Sequence, residues 1–441
     1  MVGFAKNSVA YERAREALIW NQRLHDARSP ERIVEARSTR DVVEAVEFAR
    51  LNGLKVSVRG SGHDYQASAL RDGGVLIDLG PLDGISIDAE KRQAWVGAGA
   101  KGGALLEALS DHGLAFPVGH CPDVALSGYL LGGGFGWNFG EWGPACLSVT
   151  EIEVVTAAGE ILRANEDSHP DVFWAARGAG SGFFAVVTRY RLKLYPLPKC
   201  VHVLSATFPL ERVPAIADWL DTATLAADSK VEITCIAGSV PQVSGPGVHL
   251  QVVATGDDDA EVRNRLTPFR DRPAAVDRAG AFEEKPMGFA DLPQLSAMPS
   301  GKRMAGDYLW TDASPGELLR AAQPVAEGPS IATISIFSPG GDGCDAPDPG
   351  LFGCALSVGC GASAGIYALW DDPADDEAHL AWVSGADAAL APHRKGRYVG
   401  ETDLTAGPER VEDCFAPACL DRLRALRERY DPEDRFFSFL T

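Results

Sequence analysis

Three stretches in the first half of the chain set reactive side chains among glycines. The first is Arg59-Gly60-Ser61-Gly62-His63-Asp64-Tyr65. The second begins at Gly119-His120-Cys121-Pro122 and runs to Gly143, through Gly128, Gly132, Gly133, Gly134 and Gly136. The third, Arg177-Gly178-Ala179-Gly180-Ser181-Gly182, opens into the apolar run FFAVV. Glycine lets a backbone approach a ligand and aim N–H groups at it, so such loops suit a nucleotide diphosphate held by main-chain donors. Any one of them alone reads better as a tight turn, but three in one half of the chain shift that balance. A Rossmann fingerprint would place its glycines between a strand and a helix, with an acid about twenty residues on. Arg59–Tyr65 leads instead into a polar connection and another strand, which leaves a nicotinamide site as the second reading. Nine cysteines without a CxxC pair and nine histidines without an HExxH spacing give no sign of a metal or a disulfide framework.

These loops need elements to hold them. Arg32 to Ala36 reads as a strand, and Ser38 followed by Asp41 marks a helix start. Val42, Val46 and Ala49 recur at helical spacing until Asn52-Gly53. Val56 and Val58 begin a strand that empties into the first glycine loop. Three apolar runs between Val75 and Ala100 suit a meander or small mixed sheet, Leu105 to Leu109 a short helix and Ile152 to Thr156 a strand. Tyr195-Pro196-Leu197-Pro198 reads as a linker, because two prolines oppose both helix and sheet pairing. Beyond it, VHVLSATF, VEITCIAGS, GVHLQVVATG, SIATISIFS and FGCALSVGC read as strands. Helices are expected near Glu211–Ala227, Asp259–Arg270, Glu317–Glu327 and Asp375–Leu390. The pattern suits one sheet with helices on one face. The loops Glu284–Lys302 and Pro339–Gly350 are long enough to be lids.

Lysine and arginine number 41 and acids 61, so the net charge of −20 argues against nucleic acid and anionic membranes as partners. Hydrophobic residues at 46% and charged ones at 23% give the balance of a globular protein, and 441 residues suffice for two or three domains. No apolar run approaches the roughly 20 residues that span a bilayer. The first thirty residues mix Arg and Glu with apolar positions, so no Sec signal peptide is expected and the location expected is cytoplasmic.

The segments RGSGHDY (59–65), GHCPDVALSGYLLGGGFGWN (119–138), RGAGSGFFAVVTRYRLKLYP (177–196) and RLRALRERYDPEDRFF (422–437) together resemble the berberine-bridge-enzyme-like branch of the vanillyl-alcohol oxidase superfamily of FAD-linked oxidoreductases. The resemblance implies an α+β protein. Residues 1–198 would form a two-subdomain, PCMH-type FAD-binding domain, and 199–395 a substrate domain with an antiparallel sheet covered by helices. Residues 396–441 would return to the FAD domain. FAD contacts fall on Arg59, Gly60, Ser61, Gly62, His63, Asp64, Gly119, Cys121, Val124, Ser127, Gly128, Leu131, Gly132, Gly133, Gly134, Gly136, Trp137, Asn138 and Val187. His63 and Cys121 match positions that bond the flavin covalently, so bicovalent FAD is implied. The chain departs from the pattern at Ala125 and at Gly400, where the family commonly has Gly and Asn.

Flavin chemistry of this kind removes hydride from a substrate C–H while a base takes a proton from the attached oxygen or nitrogen. The resemblance gives Tyr398 and Tyr65 as catalytic residues, although a phenol needs a cationic neighbour or the flavin's field to act near neutrality. On a strand, Glu401 and Asp403 would face away from Tyr398 and read as solvated or structural carboxylates. His120 either lines the cavity or faces away, and Trp137, Trp142 and Asn138 suit core packing equally well. Val124 lies where, in the family, a valine accompanies oxidases and a bulkier side chain dehydrogenases. The expectation is an FAD oxidase acting on a small organic molecule with O2 as acceptor. A flavin dehydrogenase, then a nicotinamide enzyme, are the alternatives.

Overall fold

The computed structural model describes residues 2–24, 28–240, 243, 245–277, 281–296, 298–341, 353–357, 359 and 361–440. Ser38 accepts a hydrogen bond from the Asp41 N–H and caps the helix Thr39–Leu51, whose Val42, Ala45, Val46 and Ala49 are buried. That helix joins β2 (Arg32–Glu35) to β3 (Val56–Arg59), and both pair in parallel with β4 (Val75–Asp78). β1 (Val2–Ala5) adds an antiparallel edge in the order β1-β2-β4-β3. The chain continues through β5 (Ile85–Asp88), β6 (Gln93–Gly97), β7 (Leu114–Ala115), β8 (Val149–Thr156), β9 (Ile161–Ala164), β10 (Ala185–Lys193) and β11 (Tyr195–Pro196). Five of these form an antiparallel sheet in the order β5-β6-β10-β8-β9. The three runs between Val75 and Ala100 therefore divide between two sheets rather than forming one meander. Tyr195-Pro196 is not a free linker, since it pairs with β7, a short ladder that tolerates a proline missing its N–H.

The second half is one antiparallel sheet of β12 (Cys200–Pro209), β13 (Val231–Ser239), β14 (Pro246–Gly256), β15 (Ala281–Pro286), β16 (Arg303–Thr311), β17 (Ile331–Pro339), β18 (Ala362–Trp370) and β19 (Gly396–Arg397). Its order is β15-β12-β14-β13-β17-β18-β16-β19. Side chains alternate across it. Ile233, Cys235, Leu250, Val252, Ile334, Ile336, Ala364 and Ile366 pack under the helices Val213–Ala226, Pro315–Ala322 and Asp376–Leu390. Their neighbours Glu232, Thr234, His249, Gln251, Thr333, Ser335, Tyr308 and Tyr367 face a cavity. Three strands, β15, β16 and β18, were not expected from the sequence. FGCALSVGC (352–360) lies partly outside the described residues, and its described part, 353–357 and 359, is a connection. The expected loop Glu284–Lys302 holds the end of β15 and the 3-10 helix Phe289–Leu295, while 342–350 lies outside the described residues. Among the described residues no helix is long and apolar enough to cross a membrane.

The chain end returns to the first sheet. After the helix Pro417–Tyr430, the Val56 N–H donates to the Arg435 carbonyl at 2.7 Å and the Phe437 N–H to the Val56 carbonyl at 2.9 Å. The edge strand β19 belongs to the large sheet and carries Arg397, whose side chain is only 3% exposed. Its guanidinium donates to Asp307 of β16 at 2.9 Å and to Asp387 of the covering helix at 2.8 Å, and Arg410 also bonds Asp307. Removing one member of a buried ion network strands the others. Arg397→Ala is expected to lower unfolding free energy by about 3–5 kcal/mol, read by urea denaturation; a change below about 1 kcal/mol would mean that the network is not desolvated.

Candidate active site

Between the two halves lies a cavity of about 640 Å³. One wall comes from the glycine loops. β3 ends at Arg59, whose guanidinium bonds Asp78 at 2.9 Å and the carbonyls of Leu18, Gly60 and Ser61, which fixes the loop against its own sheet. Gly60 is required here, because a Cβ would sit 2.2 Å from Ser127 Oγ. Ser61 Oγ accepts from the Ala125 N–H at 3.0 Å and ties the first loop to the second. Asp64 accepts the Gln66 and Ser68 amides, which makes it a turn former. Ser127 Oγ is buried and has no partner among the described residues, a vacant hydroxyl beside the glycine cradle that a polar ligand group would satisfy.

His63 stacks on Trp20 with ring centroids 3.9 Å apart and an interplanar angle of 27°. Burial lowers its pKa to about 4, so its imidazole is neutral and keeps a nucleophilic nitrogen across the physiological range. Cys121 lines the same cavity and donates its S–H to the Ser296 carbonyl at 3.0 Å. Burial, then the charge of Glu401, pushes its thiol up to about 12, so it is protonated near neutrality.

Of the residues expected at a cofactor, Arg59, Gly60, Ser61, Gly62, His63, Asp64, Gly119, Cys121, Val124, Ser127, Gly128, Leu131, Gly136 and Val187 line the cavity. Gly132, Gly133, Gly134, Trp137 and Asn138 are absent from its lining and stand behind it. Gly133 and Gly134 turn the chain under Cys146 and Ala145, which donate to their carbonyls. Trp137 is core and meets His120 edge-on at 4.5 Å. Asn138, at φ 64°, accepts from Thr255 Oγ1 at 3.1 Å, and its N–H donates to Glu232 at 3.2 Å, so it positions a carboxylate of the opposite half. His120 lines the cavity, with Nε2 2.6 Å from Glu232 Oε1.

The other wall is aromatic: Phe135, Tyr308, Trp310, Phe337, Tyr367 and Tyr398. Tyr398 follows β19 instead of lying within a strand. Its carbonyl accepts the Glu401 and Thr402 amides in a turn, and this turn overturns the alternation expected of residues 398–403. Glu401 consequently faces the cavity beside Tyr398, where its Oε2 accepts the Tyr367 hydroxyl at 2.6 Å and burial raises its pKa. At Gly400 an added Cβ would meet the Tyr398 ring at 2.7 Å, so the turn leaves no room for a side chain there. The two expected bases share one environment. Tyr65 and Tyr398 both line the cavity, but burial and then Glu401 push both phenols up, and Tyr398 Oη accepts the Gly134 N–H at 3.3 Å. Among the described lining residues Arg59 is the one guanidinium or ammonium, and it is engaged elsewhere, so neither phenol has a lysine or arginine beside it. Glu401 was hidden because a turn, not a strand, sets its direction; the glycine at 400 was the available signal.

The model of the FAD binding domain matches residues 30–165. The FAD-linked oxidoreductase nodO of Hypoxylon pulicicidum is 28% identical over 94% of this chain and 92% of its own length. The (R)-6-hydroxynicotine oxidase of Paenarthrobacter nicotinovorans is 27% identical over 95% and 92%. Among solved structures, wild-type Phl p 4.0202, a glucose dehydrogenase, matches with a TM-score of 0.84 at 20% identity over 99% of this chain and 95% of that one; an isoleucine-to-valine variant of Phl p 4 is described as a glucose oxidase.

The coupling of Cys121 to Glu401 is testable in protein carrying no bound flavin. Iodoacetamide should label the Cys121 peptide slowly at pH 8 and faster as pH rises, and Glu401→Gln should speed labelling at fixed pH. Mass mapping that finds equal rates in both proteins would show that the two groups do not interact.

Proposed function

Since the chain is an FAD-linked oxidoreductase, we propose that it is an oxidase that removes hydride from a C–H beside nitrogen or oxygen of a small organic substrate, and that FAD is anchored at both His63 and Cys121. The observation that carries the anchoring is the neutral, stacked imidazole of His63 on the same wall as Cys121. The glycine cradle and the unpartnered Ser127 hydroxyl fit a large polar cofactor. When bound, FAD accepts the hydride and passes electrons on.

The chain's own residues do the rest. Arg59 holds the loop that carries His63, and Trp20 fixes the plane of its ring. His63 would hold the flavin through a nitrogen that is already unprotonated, whereas the Cys121 thiol would first have to lose its proton. Glu401 takes the substrate proton: it is a cavity carboxyl whose pKa burial raises, and the Tyr367 hydroxyl orients it. Tyr398 and Tyr65 shape the wall, with Tyr65 stacked on Tyr367 at 5.3 Å. Val124 supports oxygen use because a valine leaves space in a close-packed wall that one added methylene would fill. The Phl p 4 pair, a dehydrogenase and its valine-substituted oxidase, is consistent with that role for a valine.

Two measurements check this. Acid precipitation should leave a yellow pellet, and His63→Ala should still retain flavin through Cys121 in part, while the double variant His63→Ala with Cys121→Ala should release all of it; a colourless wild-type pellet would refute covalent attachment. In stopped flow, Glu401→Gln should slow anaerobic flavin reduction by roughly 10²- to 10⁴-fold, with Tyr398→Phe much less affected, and Val124→Leu should slow reoxidation by oxygen alone. Reoxidation that is slow in both the native protein and Val124→Leu would make the enzyme a dehydrogenase.

A further inference from the structure

The substrate half of the cavity is acidic and aromatic at once. Arg59, the one lysine or arginine among its described lining residues, is engaged by Asp78 and by the carbonyls of its own loop. Against it stand two carboxylates. Among the described residues Glu401 has a single hydrogen-bond donor, Tyr367. Glu232, from the cavity face of β13, faces His120 Nε2 and the Asn138 amide. Both bear on the phenol of Tyr308, which burial first, then Glu401 and more weakly Glu232, push upward. The two acids line one cavity with that ring.

Glu232 is paired with the His120 imidazole, whereas Glu401 has only a hydroxyl; a carboxylate withdrawn from water without a cationic partner is unfavourable, and that shortfall defines what the site attracts. An anionic ligand would add a third negative charge. A neutral polyol would find partners at Thr234, Gln251, Thr333 and Ser335 but would leave the charge of Glu401 unanswered. A positive charge would neutralise the acids and meet ring faces that attract cations.

We propose that the substrate is a protonated amine on a small apolar frame, held between Glu401 and Glu232 with its cationic nitrogen against the aromatic wall. This rests on the oxidase reading above. An ammonium has no lone pair with which to expel a neighbouring hydride, so Glu401 first takes the N–H proton, giving the neutral amine and a carboxylic acid. The C–H beside nitrogen then breaks, its hydrogen and both electrons leave to the flavin, and the nitrogen lone pair forms the C=N⁺ bond. The iminium so formed restores a positive charge where the ammonium stood, so the Glu232 carboxylate, which helps to bind the substrate, also favours the product side of hydride transfer.

The test uses three probes of one size: benzyltrimethylammonium, benzyl alcohol and benzoate. They are titrated into the purified protein and followed by tryptophan fluorescence and by the visible absorption of its flavin. The permanent cation cannot be deprotonated, so it reports binding alone. It should bind about tenfold or more tighter than benzyl alcohol, benzoate should not bind, and Glu401→Gln and Glu232→Gln should each weaken the cation about tenfold while leaving the alcohol unchanged. Equal affinity for alcohol and cation, binding of benzoate, or an unchanged cation affinity in Glu401→Gln would overturn the proposal. A cation preference in protein that holds no flavin would refute the oxidase reading and leave the cation site standing; flavin without the preference would refute the cation site alone.

Discussion

Withdrawn from water, an imidazole, a thiol and a carboxyl each favour the uncharged form, and this cavity withdraws all three without supplying a free cation. His63 loses its proton, while Cys121 and Glu401 hold theirs more tightly. The direction is the same loss of hydration in each case, but the consequences differ: one group becomes a better nucleophile, one a poorer one, and one a proton acceptor whose pKa is raised. The only guanidinium among the described lining residues is tied to Asp78 and its own loop, so nothing on the opposite wall reverses these shifts.

The loops that carry His63 and Cys121 were legible because glycine's lack of a Cβ is a property of the residue itself. Gly60 has no room for a side chain in the folded chain, as its place in a cradle requires. The four strands β12, β13, β14 and β17 were legible from runs of apolar and alternating residues. Less visible was β16, whose RMAGDYLWT mixes charge, glycine and aromatics because one face carries the buried Asp307 of the ion network and the other meets the cavity. The Tyr195-Pro196 ladder was missed because proline forbids donation but not a two-residue edge pairing.

The glycine stretch from 119 to 143 shows where residue type alone fails. Gly136 and Gly128 face the cavity, while Gly133 and Gly134 give it a turn on the far side, and all four look alike in sequence. Trp137 and Asn138 follow the same turn and go into packing and cross-domain bonding. At the other end of the chain, period-two reasoning placed Glu401 on the wrong side, because the backbone leaves its strand at Arg397 and closes on the Tyr398 carbonyl. Arg397 buries its charge one residue before that turn, so the position of the aromatic and acidic side chains that follow is inherited from an ion network on the opposite face of the sheet.

The bonds that Asn138 makes have a meaning for how such a protein is inherited. Its side chain meets Thr255 and its amide meets Glu232, residues 117 and 94 positions away that belong to the large sheet. The two halves are thus not interchangeable modules with a generic seam. A recombinant that took its first half from one relative and its sheet from another would join an asparagine to a strand written for a different partner, leaving a buried amide and a carboxylate to find new company. Shuffling at this junction preserves the architecture of each half while scrambling the very wall on which their shared cavity depends.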